Sequence, residues 1–213
     1  MIAVHPLFVI SAFIPIVPLG IGLYAVKGLG KDRRLLLILM GLAFIVQFIA
    51  FLYFLNRENN LFIYHIYMPL EFIILGHIYK IWLINWWKSQ LLDVIIWAYV
   101  LFSAVNTFFF QKFDTVNSNA LLVGGVLLMI FSLAFFYRIL DEMKLKSLEK
   151  SPEFWINSSI LLYYSGSIIV LGMNHLIAEK SDRLIEIIYM LHSVINIIHY
   201  LLFGIGLWLK VKE

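Results

Sequence analysis

Along this chain, apolar runs of about 20 residues alternate with short charged clusters from one end to the other. A helix needs roughly 20 mostly apolar residues to cross the hydrocarbon of a bilayer. Seven runs meet that length, at about 4 to 26, 35 to 55, 62 to 84, 90 to 110, 119 to 140, 154 to 177 and 184 to 209. They leave no stretch for a soluble domain, so residues 1–213 read as one all-α, polytopic domain, a bundle of seven transmembrane helices. The longest connection, DEMKLKSLEKSPE around residues 141–153, is a charged linker, and Ser151 followed by Pro152 predicts a capped helix start. Pro6, Pro15 and Pro18 each remove an amide donor from the first span, which predicts a kink or a broken turn there. The fifth span, NALLVGGVLLMIFSLAFF, has no proline and does not echo the first, which weakens a repeat-built transporter.

Composition agrees with that pattern. The chain is 62% hydrophobic and 14% charged, where a soluble domain is nearer half apolar and a quarter charged. It has no cysteine, which excludes disulfides, thiolate metal sites and cysteine nucleophiles. The net charge of +3 is not gathered into a basic face with interleaved aromatics, so no nucleic-acid partner is expected. Twelve of the sixteen basic residues fall on one side of seven crossings: Lys27, Lys31, Arg33, Arg34, Lys80, Lys88, Arg138, Lys144, Lys146, Lys150, Lys210 and Lys212. Arg57, Lys112, Lys180 and Arg183 fall on the other, which predicts the N-terminus outside and the C-terminus in the cytoplasm. Trp82, Trp86, Trp87, Trp155 and Trp208 mark the same cytoplasmic ends. The first run has its charges after the apolar stretch, the reverse of a cleavable leader, and is expected to remain as a span.

The chemistry lies in the polar residues inside the spans. Glu71 sits about 12 Å below the outer surface in the third span, with Gln47 and His192 at a similar depth and Ser103 and Asn106 slightly shallower. A charged group at mid-membrane costs at least about 2.5 to 3.5 kcal/mol and is functional by default. Glu71 shares its helical face with Tyr64 and Tyr67. Tyr189, His192, Asn196 and His199 form a stripe on the seventh span, and Ser159, Tyr163, Ser167 and Asn174 one on the sixth, both expected to face inward. Taken singly, such Ser, Asn, Gln and Tyr residues ordinarily bond neighbouring helices at about 0.6 to 2 kcal/mol apiece. His192 is the expected partner of Glu71 by depth. Glu179, Asp182, Arg183 and Glu186 read as a solvated loop and helix start, and Lys27 to Arg34 as an orientation signal with an anionic-lipid contact.

Several chemistries do not fit. Retinal needs a buried lysine, and the last span carries only Lys210 at its end. Haem could draw on His77 and His199, which match in depth, but His77 lies about 120° round its helix from Glu71. His192 and His199 are two turns apart, about 10 Å, too far to share one metal. No serine stands in a G-x-S-x-G elbow.

The stretches NNLFIYHIYMPLEF, FDTVNSNA, PEFWINSSILLYYSG and HSVINIIHYLLFGIGLW resemble an uncharacterised family of bacterial seven-helix membrane proteins, over the third to seventh spans. The resemblance implies a bacterial inner-membrane location and, since members are often encoded near sensor histidine kinases, a sensory role. In that pattern the Tyr64–His65 pair, Glu71, Asn117 to Asn119, Pro152 to Asn157 and the His192/Asn196 face recur, whereas Leu122 to Gly125 departs from it, so no role is carried to the fifth span.

The expected function is a receptor-like or sensory protein of the bilayer. It would bind a small ligand in an outward-facing polar recess around Glu71, walled by His192, Asn196, Tyr163, Gln47, Asn106 and Tyr67, and signal to a separate cytoplasmic partner. A small-molecule or proton-coupled carrier and an intramembrane lipid-modifying enzyme are the alternatives; no catalytic residue, metal or resident cofactor is assigned.

Overall fold

The computed structural model describes residues 5–142, 147–177 and 182–209. Glu179, Lys144, Lys146, Lys180, Lys210 and Lys212 lie outside the described residues, as does the side chain of Asn174. The chain is helical: α1 (Pro6–Phe13), α2 (Ile16–Ala25), α3 (Lys31–Leu55), α4 (Leu61–Trp82), α5 (Ser89–Phe109), α6 (Ser118–Glu142), α7 (Pro152–Ile177) and α8 (Asp182–Trp208). With α1, α2 and the following 3₁₀ turn taken as one span, Pro6–Gly28, seven helices among the described residues are long and apolar enough to cross a membrane. The protein is therefore built as a multi-pass membrane protein.

The helix ends follow local chemistry. The first span breaks at Ile14 and Pro15, because Pro15 has no amide hydrogen to give the Ser11 carbonyl one turn back. α3 starts four residues before its apolar run: Gly30 is extended and Asp32 in the first turn complements the helix dipole, so a charged turn extends the helix past the apolar stretch. Ser151 caps α7 through Oγ, 3.4 Å from the Phe154 amide, with Pro152 as the first helical residue. Arg57 turns the chain out of α3 with φ of 60°.

Neighbours in space are α3 with α4, α4 with α5 and α6, α6 with α7, and α7 with α8, and the first span lies between α3 and α8. Two ends result. The N-terminal end gathers the start of α1, the end of α3 and the α5–α6 loop, where Asn59 Nδ2 donates to the Asp114 carbonyl at 2.9 Å. The C-terminal end gathers the start of α3 and the end of α8, where Arg33 Nη1 donates to the Leu209 carbonyl at 2.7 Å.

The main close-packed cluster reaches from the C-terminal end to the middle of the bundle: Leu36, Leu39, Phe72, Leu75, Tyr79, Phe131 and Phe203 are almost wholly buried in it. There Tyr79 donates to Asn157 Oδ1 at 2.7 Å and Asn157 Nδ2 to the Ser132 carbonyl at 3.1 Å, so the polar atoms in the core are paired with each other. Leu23, Val94, Leu101 and Phe108 stay exposed on the outside, as a lipid-facing surface requires.

Two residues counted as orientation signals do other work. Arg33 is 3% exposed and holds the end of α8, so it is not a free lipid contact. Trp82 is buried, with its Nε1 donating to Asp32 Oδ2 at 3.0 Å rather than reaching interfacial water.

Candidate functional site

Pro69 lies two residues before Glu71 in α4 and leaves the His65 carbonyl without its in-helix donor. His65 itself is buried and pins α4 to the neighbouring elements: Nδ1 is 2.9 Å from Thr107 Oγ and Nε2 is 2.9 Å from the Thr115 carbonyl. That anchoring fixes the N-terminal part of α4, where Tyr64, Tyr67, Met68, Glu71 and Phe72 line one cavity of about 70 Å³. Six helices contribute its wall: Gln47 from α3, Tyr99 from α5, Ala120 to Leu128 of α6 in part, Tyr163 and Tyr164 from α7, and Asn196 and Tyr200 from α8. Glu71 is partly buried and accepts a hydrogen bond from the Tyr67 hydroxyl at 3.1 Å, one turn earlier on the same helix.

Five residues picked out by depth and helical phase therefore meet here: Glu71, Gln47, Tyr67, Tyr163 and Asn196. Two do not. Asn106 is buried three residues before the end of α5 as the hub of an amide network, with Nδ2 donating to Gln111 Oε1 and to Asn117 Oδ1 at 2.9 Å, and Oδ1 accepting from Asn119 Nδ2 at 2.9 Å. It closes the α5–α6 loop, and is not part of the cavity wall. This also gives the asparagines of FDTVNSNA a structural task.

His192 is the second. It is not in the cavity wall, and Glu71 is bonded to Tyr67 instead of to an imidazole. Tyr163 borders both: it lines the cavity and its ring centroid is 5.9 Å from that of His192. His192 Nδ1 is buried with no hydrogen-bond partner among the described residues. The stripe on α8 is split as well, since Tyr189 is 47% exposed while Asn196 and His199 are buried. The α7 stripe holds at Ser159 and Ser167, which are buried, and at Tyr163. His199 Nδ1 is 2.8 Å from Ser159 Oγ and its ring stacks on Tyr163 at 4.3 Å, while His77 Nδ1 is 2.7 Å from the Ile73 carbonyl.

Sequence reasoning missed Tyr99, Tyr164 and Tyr200, which bring the tyrosines lining the cavity to six of the eleven in the chain. It also missed what seats them. A Cβ on Gly124 would lie 2.8 Å from the Tyr99 ring, and one on Gly125 would lie 3.3 Å from the Tyr164 ring. The glycine pair lets both rings lie flat against α6, and Tyr99 then donates to the Ala120 carbonyl at 3.1 Å. The visible signal was the Gly-Gly step facing an aromatic-rich chain.

A second cavity, of about 180 Å³, lies nearer the N-terminal end between α1, α3 and α4, bordered by Phe8, Phe51, Phe54 and Asn60. It shares Gln47 and Tyr64 with the first, and these two are joined by a hydrogen bond from the Tyr64 hydroxyl to Gln47 Oε1 at 3.3 Å. No family model, curated protein or solved structure matches the chain, so the functional reading stands on this arrangement alone.

Proposed function

We propose that the protein is a receptor-like membrane protein of the bacterial inner membrane that takes a small ligand at Glu71 and passes the change to a separate partner. The observation that supports this reading is the cavity around an intramembrane carboxylate, seated on the close-packed cluster that supplies part of its wall. Phe72 and Leu128 border its deep side, and Phe131 and Tyr79 beyond them are almost wholly buried. A floor of that kind favours holding a ligand over letting it pass. The weight of basic residues at the C-terminal end supports an orientation with the N-terminus outside, so the second cavity would be the outer approach. Occupancy would favour one packing of α4, α7 and α8 over another and alter the cytoplasmic ends.

The test is mass spectrometry of small molecules carried by the protein purified from its native membrane, wild type beside Glu71→Gln. A compound retained by the wild type and lost from the variant is expected. Equal retention in both, or uptake of that compound into sealed proteoliposomes, would remove the receptor reading.

A further inference from the structure

The wall of the Glu71 cavity is unbalanced in two ways. Among the described residues that line it, Glu71 is the one carboxylate, and no lysine, arginine or histidine stands beside it. Three of the wall's six tyrosine hydroxyls and the Asn196 amide nitrogen are also committed to other acceptors. The Tyr67 hydroxyl donates to Glu71, that of Tyr64 to Gln47 Oε1, and that of Tyr99 to the Ala120 carbonyl. Asn196 uses its amide nitrogen on the Ser11 carbonyl and Ser11 Oγ, both at 3.0 Å, and so offers the cavity its carbonyl oxygen. Around the carboxylate stand an amide oxygen, phenol oxygens and the Gln47 amide, framed by seven aromatic rings. A ligand that pairs with the carboxylate has to bring hydrogens and positive charge. An anion would meet the carboxylate with no cation to offset it.

A hard metal ion is less well served, because calcium takes about six to eight oxygen ligands, usually with several carboxylates. No group of three or more His, Asp or Glu is gathered among the described residues. Aromatic rings, by contrast, attract an organic ammonium through their negative faces. We infer that the cavity between α4, α6, α7 and α8 binds a small protonated amine, its ammonium on Glu71 and the Asn196 carbonyl and its carbon part among Tyr67, Tyr163, Tyr164 and Tyr200. The inference rests on the reading of this cavity as a ligand site. Size bounds the amine: 70 Å³ against the roughly 10–15 Å³ that one water requires leaves room for about five heavy atoms.

Three probes of one branched four-carbon skeleton test the chemistry: isobutylammonium, the neutral 2-methyl-1-propanol and the anionic 2-methylpropanoate, each titrated calorimetrically into the full chain in nanodiscs. Saturable binding of the amine, with the alcohol and the carboxylate at least about tenfold weaker, is expected. Glu71→Gln, checked for unchanged helix content, loses the amine; Tyr163→Phe keeps it and Tyr163→Leu weakens it by about fivefold, as a ring face rather than a hydroxyl requires. If Glu71→Gln does not fold, the comparison of the three probes on the wild type still decides. No saturable amine binding overturns the proposal. Binding of the alcohol or carboxylate that depends on Glu71 also overturns it, yet leaves the cavity as a ligand site. Amine binding unchanged in a folded Glu71→Gln overturns the amine proposal and the site together.

Discussion

Asn196 of α8 donates to the Ser11 carbonyl at 3.0 Å, the same oxygen that Pro15 leaves without an in-helix donor. A break in the first span is thereby repaired by a side chain from the last, in a part of the structure where an unpaired carbonyl is costly. Asn196→Ala should cost about 1 to 2 kcal/mol of stability. Pro15→Ala returns an amide hydrogen to Ser11, so the double variant should lose less than Asn196→Ala does alone. Reversible unfolding in mixed micelles reads the difference, and strictly additive losses would count against the repair.

Gly124→Ala pushes a methyl group into the Tyr99 ring, which must move off the Ala120 carbonyl. Overpacking of this kind costs about 1 to 3 kcal/mol. Thermal unfolding should show the loss, and Gly20→Ala, where nothing lies within 4 Å of the added carbon, should show none of that clash.

Asn106→Asp is nearly isosteric but removes both donated hydrogens and turns a carboxylate towards Gln111 Oε1 and Asn117 Oδ1. Each buried group left unpaired costs about 1 to 3 kcal/mol, more for charged groups. Faster hydrogen exchange across residues 110–118 is expected, with little change at the C-terminal end of the bundle. Uniform exchange throughout would refute the local role given to this network.

Arg33 predicts an effect far away in sequence. Its guanidinium holds the Leu209 carbonyl, so Arg33→Met should fray the last turn of α8 and cost about 1.5 to 3 kcal/mol. Exchange at residues 205–209 is the direct measure, and protection equal to wild type would show that the contact adds nothing.

The absence of cysteine makes orientation simple to test. Asp114→Cys and Lys88→Cys place single thiols at exposed positions on opposite ends. In intact spheroplasts a membrane-impermeant maleimide should label Asp114→Cys and spare Lys88→Cys. The opposite pattern would invert the proposed topology.

Hydropathy alone located all seven spans, because the length of hydrocarbon to be crossed leaves little freedom in the length of each run. Glu71, Tyr64 and Tyr67 were legible together for a related reason: they lie on one helix, and spacing fixes their common face. The rotation of one helix against another is not written in either helix. His192 and Asn196 are separated by about 40° on α8, and that offset is enough to put Asn196 in the wall and His192 outside it. Asn106 lies at a plausible depth, but the fold-back of residues 110–118 over the end of α5 captures it first. Tyr99, Tyr164 and Tyr200 were hidden because a tyrosine suits a core, a membrane surface and a binding wall equally well.

Gln47 and Tyr64 stand like a single door between two rooms. A molecule in either chamber borders the same pair, so occupancy of one is expected to change the affinity of the other. A titration that fills both rooms should then depart from a simple hyperbola.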